Sequence, residues 1–205
     1  MTNKKAKTAQ IYAYETVRDR ILQGKYEGQT KLIEDKLAKE LQISRTPVRE
    51  AIRRLEQEGL IKNKRIIKPS PTDIRHMFEM RIVIEGYAAS KAAKFMIPDN
   101  IAIIRSAIEK AKQSEDPEEI INFNKQFHDY IVKESRNPIM IETVDRMQAI
   151  IYMFSHAVVF YNRPFLLDEH SNICDAIEKH DPVEANRLMQ EHLQADLEFV
   201  LNITD

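Results

Sequence analysis

Four glycines (Gly24, Gly28, Gly59 and Gly86) are spread over 205 residues. The chain therefore holds no G-x-G-x-x-G turn and no Walker loop to cradle a nucleotide phosphate. The same scarcity argues against a fold built of many tight β-turns. One cysteine, Cys174, permits no internal disulfide and no cysteine-based zinc site, and is read as a packed core thiol. The longest mostly apolar run, Ala149 to Tyr161, is too short to span a bilayer and contains Ser155 and His156. The opening MTNKKAKTAQ is basic and polar, without the apolar stretch of a signal peptide. These absences set the expectation of a cytoplasmic protein with no membrane partner.

What is present is a concealed split of charge. The formal net charge is -1, from 31 basic and 32 acidic residues. Through Ser70 the chain carries 17 basic and 9 acidic side chains; from Pro71 onward it carries 14 and 23. Such asymmetry suggests a basic head that meets nucleic acid and an acidic body with another task. Lys68-Pro-Ser-Pro71 disfavours continued helix and marks the linker. The expected domains are residues 1–70 and 71–205.

In the head, apolar residues recur at helical spacing from Thr8 to Gln23 (Ile11, Tyr14, Val17, Ile21, Leu22), with Gly24 as a stop. A second amphipathic segment runs from about Glu34 to Leu41. The third begins at SRTPVREAIRRLEQEG, where Ser44 or Thr46 can cap and Pro47 suits the first turn. Val48, Ala51, Ile52 and Leu55 form its buried stripe, and Arg45, Arg49, Arg53 and Arg54 lie off it. Three short helices of this kind fit a helix-turn-helix, whose third helix enters a DNA groove N-terminus first. Arginine is the usual bidentate reader of guanine, so Arg45 and Arg49 are cast as readers of base or phosphate. Thr46 is a second contact and Arg53 a phosphate contact. In KNKRIIK the turn-capable Asn63-Lys64 precedes β-branched residues and predicts a small wing, with Lys64 and Arg65 among its cations. A single arginine here would be solvated helix surface paired with Glu50, Glu56 or Glu58. The cap, the wing and the charge excess together favour DNA.

The stretch YETVRDRILQGKYEGQTKLIEDKLAKELQISRTPVREAIRRLEQEGLI resembles the winged-helix head of the GntR bacterial transcription regulators. The resemblance implies operator binding by a homodimer, with the reader role on Arg45, Thr46 and Arg49. Two departures stand out. Asp35 occupies a position where many members carry a DNA-contacting arginine, and the wing lacks the glycine often found at its tip.

In the body, proline-opened segments predict six helices and no strand. They run from Thr72 or Asp73 to about Met96, Pro98 to about Gln113, Pro117 to near Arg136, Asn137-Pro138 past Phe160, Phe165 to Lys179, and Pro182 onward. The expected class is mainly α: a winged helix-turn-helix followed by an all-α bundle of six helices. The stripe Ile120, Ile121, Phe127, Ile131 also contains Asn124 and His128. His170 shares a face with Leu166, Ile173 and Ile177, and His192 aligns with Ala185, Leu188 and Met189. Buried polar groups need partners, and neutral imidazole is a common ligand of divalent metals. His76, His156 and His180 are read as hydrogen-bonded core residues, with His180, just before Asp181-Pro182, interacting with a helix C-terminus. AIIYMFSHAVVFY is apolar around most of its circumference and reads as a central helix lining the cavity.

FNKQFHDYIVKESRNP and EHSNICDAIEKHDPVEANRLMQEHL resemble the metal-bearing helices of the FCD effector domain that follows the head in one GntR branch. The resemblance implies four ligands, Asn124, His128, His170 and His192, with asparagine standing where the family usually has aspartate. Loss of that negative charge favours an anionic effector or water at the open positions, and histidine dominance puts zinc or nickel ahead of manganese. Arg81 matches a frequent arginine of the family's first body helix and is a candidate anchor for an effector carboxylate; its alternative is an ion pair with Glu85. Arg146 is a second candidate of that type. The expected function is a ligand-responsive transcriptional regulator, a repressor rather than an enzyme. The rival is a metal-dependent hydrolase with a DNA-binding head; Asp129 and Glu169, the acids beside the ligands, are expected to project away from them.

Overall fold

The computed structural model describes the backbone of residues 2–22 and 25–204, and side chains except those of 2–7, 148, 149, 152–157, 160 and 204. The expected stop at Gly24, the His156 contact and most of the cavity-lining face of AIIYMFSHAVVFY lie outside these. Two compact units emerge, residues 1–68 with 146–150, and residues 69–145 with 151–205.

The first unit holds α1 (Thr2–Leu22), α2 (Glu34–Glu40), α3 (Arg45–Gln57) and a hairpin of β1 (Ile61–Lys62) and β2 (Arg65–Ile66). Ala13, Val17 and Ile21 bury one face of α1, while Ile11 is exposed. Val48, Ala51, Ile52 and Leu55 form the buried face of α3. Its N-cap is Ser44, but neither the Ser44 nor the Thr46 hydroxyl caps it; Thr46 lies inside the first turn. The far end is more tightly built. Gly59, at φ +77°, donates its N–H to Glu56 and Leu60 donates to Leu55 at 3.0 Å, a Schellman closure that needs the left-handed residue. Asn63 (φ 52°) and Lys64 (φ 57°) then make the two-residue turn of the hairpin. Both central residues of such a turn need positive φ; asparagine accepts it readily and lysine at a cost. The hairpin puts Ile61 opposite Ile66, and residues 29–32 add hydrogen bonds along β2 (Leu32 N–H to Lys64 at 2.8 Å, for example).

The second unit consists of α4 (Pro71–Phe95), α5 (Pro98–Gln113), α6 (Pro117–Glu134), α7 (Pro138–Phe160, apart from its residues 146–150), α8 (Leu166–Glu178) and α9 (Pro182–Thr204). α4 starts one residue before the expected caps, at Pro71. Ser70 is its N-cap, receiving the Asp73 N–H and donating its own N–H to the Asp73 carboxylate. Proline at the first helical position loses nothing, because that N–H has no intrahelical acceptor. Asp116 and Asp181 cap α6 and α9 one-sidedly, their carboxylates accepting the N–H of Glu118 and of Val183 and Glu184, and each is followed by proline.

α4 packs on α9, α6 and α8. Its Ala88, Ala89, Ala92 and Ala93 are fully buried and meet a core of Ile104, Ile108, Phe127, Ile131, Ile173, Ile177, Met189 and Leu193. Each large aliphatic buried there contributes about 1.5–3 kcal/mol. Small side chains on α4 let α9 come close; a Cβ on Gly86 would stand 2.9 Å from Gln190 Cγ. That close approach brings the polar residues of α4 and α9 within reach of those on α6 and α8. Cys174 is fully buried, and burial pushes its thiol up to about 12, consistent with a core role. His180 adopts φ 54° after α8 and donates Nδ1–H to the Ala93 carbonyl in the last turn of α4. His76 is exposed rather than packed, because α4 turns that face to solvent.

Candidate functional site

The exposed face of α3 presents Arg45, Thr46, Arg49 and Arg53, with the three arginine side chains 57%, 54% and 64% accessible. Arg54 does not join them. Its guanidinium lies 3.7 Å from the Tyr14 ring centre and its Nε donates to Glu58, so it ties α3 to α1. The Arg45 and Arg49 side chains face an acidic corner at the start of α2. Glu34 Oε2 accepts from Arg49 Nε at 3.0 Å and Glu34 Oε1 from Lys64 Nζ at 2.9 Å. Hydrogen bonds from Lys64 and then Arg49 hold the Glu34 carboxyl below its ordinary range. Asp35 takes Arg45 Nε at 2.9 Å, while Arg65 donates to the Gln29 carbonyl at 2.8 Å. The recognition-helix and wing cations named from the sequence thus gather on one side of the first unit.

The second unit brings His128 (α6), His170 (α8) and His192 (α9) together, their ligating atoms all within 4.8 Å of one another. The Nε2 atoms of His170 and His192 are 3.2 Å apart. Phe127 stacks on His170 at 4.2 Å between ring centres and walls one side. Asn124 is 5% exposed, and its Oδ1, like His128 Nε2, is a buried polar atom with no hydrogen-bond partner. Such orphans are costly unless a ligand completes them. Three imidazole nitrogens with one amide oxygen suit a divalent ion of the zinc or nickel type, so the residues present fit a metal.

A second layer was not foreseen. Glu85 of α4 receives His128 Nδ1 at 2.6 Å and Arg81 Nε at 2.7 Å. Glu169 of α8 receives His192 Nδ1 at 2.8 Å and Arg163 Nη2 at 2.7 Å. Each carboxylate fixes the Nδ1–H tautomer of its histidine and leaves Nε2 for a ligand. The expectation that Glu169 projects away from the ligands is therefore corrected: it turns behind His192, because α9 passes beside that face of α8. Asp129 pairs with Lys125 along α6. Arg81 forms the ion pair that was its alternative, with 4% of its side chain accessible. Arg146 is exposed on α7 and falls in the first unit. Arg163 and Asp196 were missed altogether; they form an ion pair at 2.9 Å.

Burial sets the protonation of this cluster. It holds His170 well below its usual range, helped by the neighbouring His192 and His128, and lowers His128 against the pull of Glu85. Burial pushes Glu85 and Glu169 up, but Arg81 and His128 in one case, and His192 and Arg163 in the other, bring each below the carboxylate range. Neutral imidazoles backed by ionised carboxylates are the state that accepts a cation.

A basic winged helix-turn-helix followed by an all-α unit with a buried histidine cluster defines a DNA-binding transcription regulator. The chain matches the model of the bacterial regulatory proteins of the gntR family over residues 9–65 and that of the FCD domain over residues 76–195. It belongs to the GntR family and carries an FCD domain. It is 23% identical over 204 residues to the HTH-type transcriptional regulator YdhC of Bacillus subtilis (strain 168), covering 94% of this chain and 91% of that one. It is 26% identical over 181 residues to the HTH-type transcriptional repressor NanR of Enterobacter sp. (strain 638), covering 75% and 70%. Among solved structures, E. coli McbR/YncC shares the fold with a TM-score of 0.78 at 20% identity, over 96% of this chain and 99% of that one. Members of the family bind DNA through the helix-turn-helix, which assigns that task to the first unit. No described helix is long and apolar enough to cross a membrane.

Proposed function

We propose that this regulator is a ligand-responsive repressor of the bacterial cytoplasm. Residues 1–70 read a near-palindromic operator as a homodimer, and residues 71–205 hold a divalent metal and a small carboxylate effector. The observation that carries this reading is the convergence of His128, His170 and His192 beside the orphaned Asn124 Oδ1. Arg45, Thr46 and Arg49 contact bases or phosphate, and Arg53, Lys64 and Arg65 contact phosphate. When bound, the metal supplies open coordination positions and positive charge for an anion. The protein's own part is to keep His128 and His170 neutral by burial, hold the Nε2 atoms of His128 and His192 inward through Glu85 and Glu169, and exclude water with Phe127. Arg81 remains the proposed effector contact, meeting one by sharing its guanidinium with Glu85, while Arg146, exposed in the first unit, is not carried forward. An effector shifts operator affinity only by binding one arrangement of the dimer better than the other.

The test is metal analysis of the purified full-length chain and its His192→Ala variant, with thermal-shift screening of small carboxylates and an operator-binding assay. The variant is expected to lose metal and the carboxylate response while keeping basal DNA binding. Equal metal content in both proteins overturns the histidine centre. Glu85 and Glu169 sit behind the imidazoles, committed to Nδ1, so neither of these two is placed as a general base.

A further inference from the structure

The geometry points to Asp196 as the carboxylate that serves the three-histidine centre, in place of the one that Asn124 does not supply. This inference rests on the metal reading above and deepens it. Asp196 lies on α9 one turn beyond His192 and is 5% exposed. Its Oδ1 is 2.9 Å from Arg163 Nε, and its Oδ2 is 3.7 Å from His192 Nε2. Because His192 commits Nδ1 to Glu169, the nitrogen beside Asp196 is the one left for a metal. Two donor atoms each about 2.1 Å from one ion stand roughly 3 to 4.2 Å apart in the common coordination geometries. The observed spacing falls in that interval.

Charge bookkeeping supports the same assignment. Arg81 neutralises Glu85, and Arg163 is shared between Glu169 and Asp196. In formal charge, three carboxylates against two guanidiniums leave one anion in excess. A carboxylate at position 124 would have contributed that same single charge. A lone pair on His192 Nε2 next to a buried carboxylate oxygen is repulsive until a cation lies between them. Asp196 stands outside the group of three histidines whose ligating atoms all lie within 4.8 Å of one another, so it serves the ion through one water held beside His192 Nε2.

The experiment titrates the metal-stripped full-length chain with Zn²⁺ against a chromophoric chelator, and with Co²⁺ by visible absorption. It compares wild type, Asp196→Asn, Asn124→Asp, the double variant and His192→Ala. Asp196→Asn is expected to weaken Zn²⁺ binding by about 10- to 100-fold and alter the Co²⁺ band, with operator binding intact. Adding Asn124→Asp to it should recover most of the loss. Wild-type Zn²⁺ affinity in Asp196→Asn alongside its loss in His192→Ala overturns the role of Asp196 and leaves the metal reading standing. A wild-type chain that binds none of Zn²⁺, Ni²⁺ or Co²⁺ overturns both. Should Asp196→Asn fail to fold, Asn124→Asp decides. A site that already has its carboxylate gains about threefold or less, whereas a gain of about tenfold or more contradicts the assignment.

Discussion

Glu85 and His128 meet at 2.6 Å across two helices, and the same carboxylate holds Arg81 at 2.7 Å. All three side chains are buried, and the Glu85 carboxylate is the anion paired with the Arg81 guanidinium. Arg81→Met should destabilise the metal-free protein by about 3–5 kcal/mol, because it leaves Glu85 buried with an incomplete partner. Adding Glu85→Gln should recover part of that loss. Urea unfolding of the two single variants and the double variant measures the coupling, and strictly additive losses would contradict it.

Arg49→Ala should abolish specific operator binding while the protein keeps its helix content. The probe is DNA selected by the wild-type protein from a random-sequence pool, with unselected DNA as control. Removing a groove reader lowers affinity for the selected sequence more than for the control. Equal losses on both would demote Arg49 to a phosphate contact.

Stability of the metal-free protein should fall as pH drops below about 6.5. Burial holds His128 and His170 below that ordinary value, so the unfolded chain takes up protons that the folded one refuses. The slope is up to about 1.4 kcal/mol per pH unit for each histidine, from about 6.5 down to its folded value. Glu85 and Glu169, held below 4.5, contribute stability that is lost only at lower pH. Urea midpoints at pH 7.5, 6.5 and 5.5 check this; a flat profile would mean that the buried imidazoles take up protons freely.

Gly59→Ala should cost about 1–2 kcal/mol by forcing a Cβ into the left-handed region. A Cβ there meets nothing within 4 Å, so the penalty is conformational alone. Thermal denaturation reads it, and an unchanged Tm would show that α3 can close without the left-handed residue.

The sequence made the helices legible because their starts are written in local chemistry. Asp116-Pro117 and Asp181-Pro182 are cap and first turn, and the periodic faces of α3, α6, α8 and α9 carry their burial in their spacing. The inward histidines were legible for the same reason. Their supporting carboxylates were not. Glu169 precedes His170 and, on helical geometry alone, points elsewhere; only the passage of α9 beside it gives it His192. Glu85 is four residues from Arg81, a spacing that announces an ion pair but says nothing of His128, 43 residues away. Asp196 stands one turn after His192, the one local signal that was available and unused. The Ser70 cap was displaced from Thr72 because a capping box needs an acceptor three residues on, which Asp73 supplies.

The wing of this head has a lysine at its tip where a glycine would have no charge to offer, and Glu34 holds that lysine and Arg49 together. If these cations meet phosphate as proposed, operator binding is an exchange of partners, with phosphate replacing carboxylate on cations already neutralised. The number of ions released on association falls below the number of cations in the interface. The dependence of affinity on salt should accordingly be shallower than a count of arginines and lysines suggests, and steeper once Glu34 is made neutral.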